Sequence, residues 1–378
     1  MPDDLTFKPG LEGIVAAQTR LSSVDGQKGE LIIAGYPLEE LAANARFEEV
    51  CYLLWHGELP DQNSLDVFRT TMATYRELPA ATLSLLAEAA KHRATPMDAL
   101  RMAIGTFDLD VAGEDDMVKA KAITARVPPA IATYWRLFND RDVIAPRHDL
   151  GRSANYLYML TGEVPGPETV RGLETYLNTV SDHGLNASTF AARVIIATES
   201  DMVSAVTGAL GALKGPLHGG APGPALDMVF EIGTADQAES FIRTKLDRGE
   251  RLMGFGHRVY KVRDPRADVL AHAGERMYQA EGDMRLYELA KQVEATAIRL
   301  LDEIKPGRNL RTNVEFYTAL LLHGIGLDTP LFTPTFAMGR VAGWIGHCFE
   351  QQRTGRLIRP DSVYIGETGR HWVPIEQR

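Results

Sequence analysis

Residues 251–266 read RLMGFGHRVYKVRDPR. One histidine, His257, stands in a Gly-Phe-Gly setting. Around it lie five cations, Arg251, Arg258, Lys261, Arg263 and Arg266, against a single acid, Asp264. The chain as a whole runs the other way, with 40 Lys+Arg against 50 Asp+Glu and a net charge of −10. Basic runs are commonly solvated helix faces. Here the glycines form a turn and Asp264-Pro265 interrupts any helix through the cluster, so the charge fits a small anionic ligand better. Arginine matches carboxylate and phosphate oxygens with paired hydrogen bonds.

The 378 residues leave room for two domains, and 45% hydrophobic with 24% charged residues is ordinary for a globular protein with a substantial core. Cys51 and Cys348 make no disulfide framework and suit buried apolar positions in a reducing cytoplasm. The start, MPDDLTFKPGLEG, lacks a basic segment followed by an apolar signal core. No apolar run approaches the roughly 18 residues of a membrane span. Net acidity argues against general nucleic-acid binding.

Helical periodicity dominates and strict alternation is rare, which predicts a mainly α protein with minor β-structure. In YPLEELAANARFEEVCYLLWHG, Leu38, Leu41 and Ala42 lead on to Phe47, Val50, Leu53 and Leu54 as one helical face, closed by Gly57 and Pro60. SLDVFRTTMATYREL and ADVLAHAGERMYQA have the same period. Asn186 or Ser188 can cap a helix through Ile196, and Ser200 or Asp201 a second through Leu213, ended by Gly215-Pro216. His183 then precedes the first helix and His218 follows the second, in a glycine-rich loop. TPTFAMGRVAGWIGHCFEQQRTG predicts a strongly apolar helix carrying Phe336, Val341, Trp344, Ile345 and Cys348. Arg340 lies in its middle and needs an anionic partner or an exit to water. Arg356 and Arg359 fall on a non-helical tail.

Several standard sites are missing. There is no GxSxG elbow, GxxxxGK[ST] loop, HExxH helix or CxxC pair, and GFGHRV fails GxGxxG at its last position. His347 beside Cys348 has metal-ligand chemistry, but adjacent helical residues point apart, so packing is the better reading. Three histidines remain: His183, His218 and His257. Each alone could be a hydrogen-bonded structural histidine. All three adjoin glycine, which allows close backbone approach to a ligand, and that repetition favours function.

These segments together resemble the citrate synthase family. GPLHGGA at 215–221 is similar to its first catalytic-histidine loop, and GFGHRVYKVRDPR at 254–266 to its signature. NVEFYTALLL at 313–322 resembles the segment carrying its catalytic acid. HGLNAST at 183–189, GRLIRP at 355–360 and the early LEGIVAAQTRLSSVDGQKGELIIAGYPLEEL also fit, in the family's order along essentially the whole chain.

The resemblance implies a two-domain helical fold. Residues 1–217 and 322–378 would form the large domain and 218–321 the small one, with the site in the cleft between them. It implies the condensation of acetyl-CoA with oxaloacetate, then hydrolysis of citryl-CoA to citrate and CoA, without metal or redox cofactor. His218 would bond the thioester oxygen, Glu315 would take the methyl proton, and His257 would polarise the ketone and protonate the new alkoxide. Arg266, Arg340 and Arg359 would hold carboxylates, with His183 adding a contact. Arg251, Leu252, Met253, Gly254 and Phe255 would line the CoA site. A homodimer is implied, of the compact type, with Arg359 reaching the partner's site.

Two residues depart from the family's usual pattern. Glu315 stands where aspartate is usual, longer by about 1.5 Å, and a misplacement of about 1 Å can cost on the order of a hundredfold in rate. Pro222 stands where asparagine is frequent. The nearest rival activity is that of 2-methylcitrate synthase, which uses propionyl-CoA with the same residues. A CoA- or dicarboxylate-binding protein that has lost catalysis is a second alternative, and a metal-dependent hydrolase a third.

Overall fold

The computed structural model describes residues 7–378 except 112, 220–222, 258 and 261, and leaves the side chain of Thr354 undescribed. The Pro222 substitution and the cations Arg258 and Lys261 therefore lie outside the described residues. Near the N-terminus β1 (Ser22–Asp25), β2 (Glu30–Ile33) and β3 (Tyr36–Pro37) form an antiparallel meander with Ser22 opposite Ile33 and Ile33 opposite Tyr36. Among the described residues, everything after it is helix or loop apart from one isolated β-bridge. The first half contains α1 (Leu38–Asn44), α2 (Phe47–His56), α3 (Gln62–Thr74), α4 (Ala80–Lys91), α5 (Pro96–Ile104), α6 (Asp116–Phe138), α7 (Arg152–Thr161) and α8 (Pro167–Thr179). The second contains α9 (Ala187–Ile196), α10 (Met202–Leu213), α11 (Gly223–Ile232), α12 (Ala238–Asp247), α13 (Pro265–Glu281), α14 (Arg285–Ile304), α15 (Val314–Gly324) and α16 (Phe332–Thr354). None of them is long and apolar enough to cross a membrane, among the described residues.

The caps follow the local chemistry. Asn186 accepts the amide of Thr189 at the start of α9, and Asp201 that of Ser204 at the start of α10. The continuous face read from Leu38 to Leu54 is instead two helices. Arg46 is extended (φ −76°, ψ 154°), and the Glu49 carboxylate takes its amide at 2.7 Å, a cap that restarts the chain as α2. Both segments keep their apolar faces buried, so the break was invisible to periodicity alone. Asp264-Pro265 also does more than interrupt a helix. It opens α13, where proline at the first position lacks only an amide that had no partner.

α16 is the axis of the core. Apart from Thr333, Phe336 and Phe349 it is buried from Phe332 to Gln351, as expected of a helix apolar on all sides. Gly339 and Gly343 let the end of α8 lie directly against it. A Cβ at Gly343 would sit 2.3 Å from the Ser181 carbonyl oxygen, and one at Gly339 2.9 Å from that of Leu177. This contact brings residues 177–183 alongside Arg340. Cys51 and Cys348 are both free and buried. α15 runs unbroken past residue 321, so the backbone passes the expected domain boundary within a helix.

Candidate active site

The described residues between 251 and 264 are not helical, and the strain of their turns falls on glycine. Gly254 and Gly256 both have φ of +84°, and a Cβ at Gly254 would lie 2.9 Å from that of Phe316. The loop is stitched to the residues before α15. Phe255 bridges Thr312, the Gly256 amide donates to Arg311 O at 2.7 Å, and the Asn313 amide to Gly254 O at 2.9 Å. Asn313 then caps α15 by accepting the amide of Glu315 at 3.0 Å. His257 and Glu315 are thus fixed relative to one another by backbone.

Asp264, the lone acid of the loop, is fully buried and works in three directions. It caps α13 through the Arg266 amide (3.1 Å), receives Nε and Nη2 of the Arg266 guanidinium (3.0 and 2.8 Å), and accepts the Val314 amide at 3.2 Å. Burial opposes the charge on Arg266, but Asp264 outweighs it and holds the guanidinium pKa above its ordinary value.

At His218, Nε2 faces the Ser188 amide at 3.3 Å and the Ser188 hydroxyl at 2.7 Å, while that hydroxyl also takes the Trp344 indole N–H at 3.0 Å. The amide can only donate to Nε2, whereas the hydroxyl gives its own proton to Asn186 Oδ1 at 2.8 Å and can only accept, so the two contacts favour opposite tautomers of this ring. Burial, then Arg340, depress this imidazole to about 4, so it is neutral at neutral pH. At His257, Nδ1 accepts from the amides of Val259 (3.1 Å) and Tyr260 (3.0 Å), which puts the proton on Nε2; Arg266 Nη2, itself a donor, lies 3.3 Å from that nitrogen as a neighbour and not as its hydrogen-bond acceptor. His183 Nε2 lies 3.1 Å from the Tyr260 hydroxyl. Burial, with Arg266 and Arg340, drives its pKa well below 6.5.

Arg340 is buried at 2% exposure. Its Nε donates to Val180 O at 2.6 Å and its guanidinium lies 4.8 Å from the Phe336 ring centroid. Burial lowers its pKa to about 10. Among the described residues no carboxylate pairs with it; it opens instead onto the cleft. The Glu315 carboxyl makes no side-chain hydrogen bond or ion pair among the described residues, and burial raises its pKa above 4.5, partly countered by Arg266. A base with raised pKa and no fixed partner is suited to accept a proton.

One cleft of about 990 Å³ gathers these groups. His183, His218, His257, Arg266, Glu315 and Arg340 line it, and so does every residue from Arg251 to Phe255. Arg359 does not; it is exposed on the extended tail beyond α16. Lys305 and Arg308, in the turn between α14 and α15, also line the cleft and escaped the sequence reading, although KPGR is a cationic turn. Asn313, Tyr260 and the buried role of Asp264 escaped it as well. His347 packs rather than binds metal: Nε2 lies 3.2 Å from Asp182, and Nδ1 accepts from Arg193 at 3.1 Å. Among the described residues no three His, Cys, Asp or Glu side chains are grouped to hold a metal ion.

A family model described as "Citrate synthase, C-terminal domain" matches residues 10–361. The chain is 41% identical to a citrate synthase of Haloferax volcanii over 98% of its own length and 99% of the relative. It is 39% identical to a 2-methylcitrate synthase of Mycobacterium tuberculosis over 96% and 92%. Among solved structures, a citrate synthase of Pyrobaculum aerophilum superposes with a TM-score of 0.88 at 37% identity, covering 98% of this chain and 95% of that one. The citrate synthase of Thermoplasma acidophilum, solved in a ternary complex with carboxymethyl coenzyme A and oxaloacetate, gives 0.88 at 29% identity over 99% and 100%. By sequence, fold and extent of match, this chain belongs to the citrate synthase family.

Proposed function

We propose that the protein condenses acetyl-CoA with oxaloacetate and hydrolyses the resulting citryl thioester, releasing citrate and CoA. The observation that carries this reading is the setting of Glu315, buried and without a side-chain partner among the described residues, beside His257, whose Nδ1 is already occupied by two amide donors. Glu315 takes a proton from the acetyl methyl group while His218 bonds the thioester oxygen, so charge never accumulates unsupported on the enol. The enol carbon attacks the ketone carbon of oxaloacetate. The Nε2–H of His257 polarises that ketone and delivers its proton to the new alkoxide. Water then cleaves the thioester.

Arg266 and Arg340 hold the oxaloacetate carboxylates, with His183 beside them. Arg251 to Phe255, together with Lys305 and Arg308, receive CoA, whose phosphates suit these cations. We assign residues 1–217 and 322–378 to a large domain and 218–321 to a small one, with α15 as the shared element. The extended tail supports a homodimer in which Arg359 completes the site of a second copy: Tyr364, Ile365 and Trp372 are 72%, 95% and 79% exposed, an apolar strip that association would cover.

A coupled assay following thiol release from acetyl-CoA and oxaloacetate tests the reading. The likeness to 2-methylcitrate synthase gives the alternative substrate. One extra methyl group changes binding by only about 1–3 kcal/mol, so kcat/KM for acetyl-CoA and propionyl-CoA must be compared directly. A large preference for propionyl-CoA would replace the first assignment by the second.

A further inference from the structure

Tyr260 is 3% exposed and touches three groups at the oxaloacetate end of the cleft. Its hydroxyl lies 3.1 Å from His183 Nε2, its amide donates to His257 Nδ1 at 3.0 Å, and its ring centroid lies 5.6 Å from the Arg266 guanidinium carbon. The rings of His257 and Tyr260 lean together, 5.0 Å apart at 37°. The ring of His183 meets Tyr260 edge-on at 5.8 Å. The rings of His183 and His257 also meet each other edge-on at 6.3 Å.

We propose that Tyr260 is a positioning residue for oxaloacetate, whose hydroxyl fixes the tautomer and tilt of His183 so that Nδ1–H is the group offered to substrate. The inference rests on reading the cleft as an oxaloacetate site. Its physical basis is that Arg266 and Arg340 can only donate, and His183 must sit among them as a neutral ring. A neutral imidazole with no fixed partner distributes its proton over both nitrogens. A phenol donating to Nε2 removes that freedom, as the Val259 and Tyr260 amides do for His257. Burial, its largest influence, raises the Tyr260 pKa, so the phenol keeps the proton it must donate. In the domain division proposed above, His183 and Tyr260 stand on opposite sides of the cleft, so their bond forms only when the two sides are close.

The test is Tyr260→Phe, which keeps the ring and the amide and deletes only the hydroxyl. The KM for oxaloacetate should rise roughly 3- to 10-fold, the loss of about one hydrogen bond. The KM for acetyl-CoA and the melting temperature should stay as in the parent. In a His183→Asn background the same deletion should add nothing, because the tyrosine acts through the histidine. Calorimetry of oxaloacetate binding gives the same comparison without turnover. An unchanged oxaloacetate KM and Kd in Tyr260→Phe overturns the inference, as does a full additional loss in the His183→Asn background. A parent protein that binds oxaloacetate but releases no thiol defeats the proposed reaction and leaves the tyrosine to be judged by binding. A parent that does neither defeats both.

Discussion

The carboxamide of Asn313 donates to the carbonyl oxygen of Gly256 at 2.8 Å, tying the His257 loop to the helix that carries Glu315. The same side chain accepts the Glu315 amide at 3.0 Å, so one residue is both helix cap and brace. Asn313→Asp keeps the cap and loses the donor. It should melt near the parent temperature yet lose on the order of a hundredfold in kcat, the scale of a misplacement of about 1 Å. Asn313→Ala should in addition lose about 1 kcal/mol of stability with the cap. Thermal melts beside kcat measurements separate the two roles.

Glu315→Gln should lower kcat by roughly 100- to 10,000-fold, the range for removing a general base, while oxaloacetate affinity stays nearly intact. A variant that kept most of its activity would rule Glu315 out as the base. The parent's pH profile offers a second check. Glu315 must be ionised to act, and burial holds its pKa above 4.5, whereas His218 does not charge until about 4. Activity should therefore fall with acid in a limb that lies above pH 4.5 and disappears in the Gln variant's residual rate.

Glu174 on α8 offers a stability test away from the cleft. It lies 3.3 Å from Arg171, yet burial first, then Glu48, push its carboxyl up to about 7. The folded pKa exceeds the unfolded value of 4.5. The stabilisation it gives is complete below pH 4.5 and is lost as pH rises through 7, on the order of 3 kcal/mol at 1.36 kcal/mol per pKa unit. Glu174→Gln should match the parent's melting temperature at pH 4 and exceed it at pH 8. Equal melting temperatures at both values would show that Arg171 meets the whole cost of burying the carboxylate.

Arg359→Ala should leave folding unchanged, since the side chain is exposed, while raising the KM for oxaloacetate roughly 10- to 100-fold, as expected for a lost charged hydrogen bond. Unchanged affinity would contradict its assignment.

Replacing Lys305 and Arg308 together by alanine should raise the KM for acetyl-CoA and leave that for oxaloacetate alone. The parent's acetyl-CoA KM should climb with ionic strength, and the double variant's should climb less, because the steering charges are gone. A salt dependence identical in both proteins would place the CoA phosphates elsewhere.

The sequence by itself determined the helical character, narrowed the caps to Asn186 or Ser188 and to Ser200 or Asp201, and singled out His183, His218, His257, Arg266, Glu315 and Arg340, which meet in the cleft. These are local signals: a cap acts within one turn, and a motif keeps its residue types together. It could not determine which donor each histidine faces. Ser188 and His218 are 30 residues apart, Asp264 and Val314 50, and His183 and Tyr260 77. Those pairs exist because helices pack. Gly339 and Gly343 admit the end of α8 against α16, and the 254–257 loop pairs with residues 311–313. Burial then sets the chemistry, raising the carboxyl of Glu315 and lowering the imidazoles of His183 and His218. Periodicity continued one face across Ala45 and Arg46 because both halves bury the same side, and the local cap from Glu49, which periodicity does not register, divides them. Arg359 marks the complementary case: its motif was legible, but the fold leaves the residue exposed on the tail and outside the lining of its own chain's cleft.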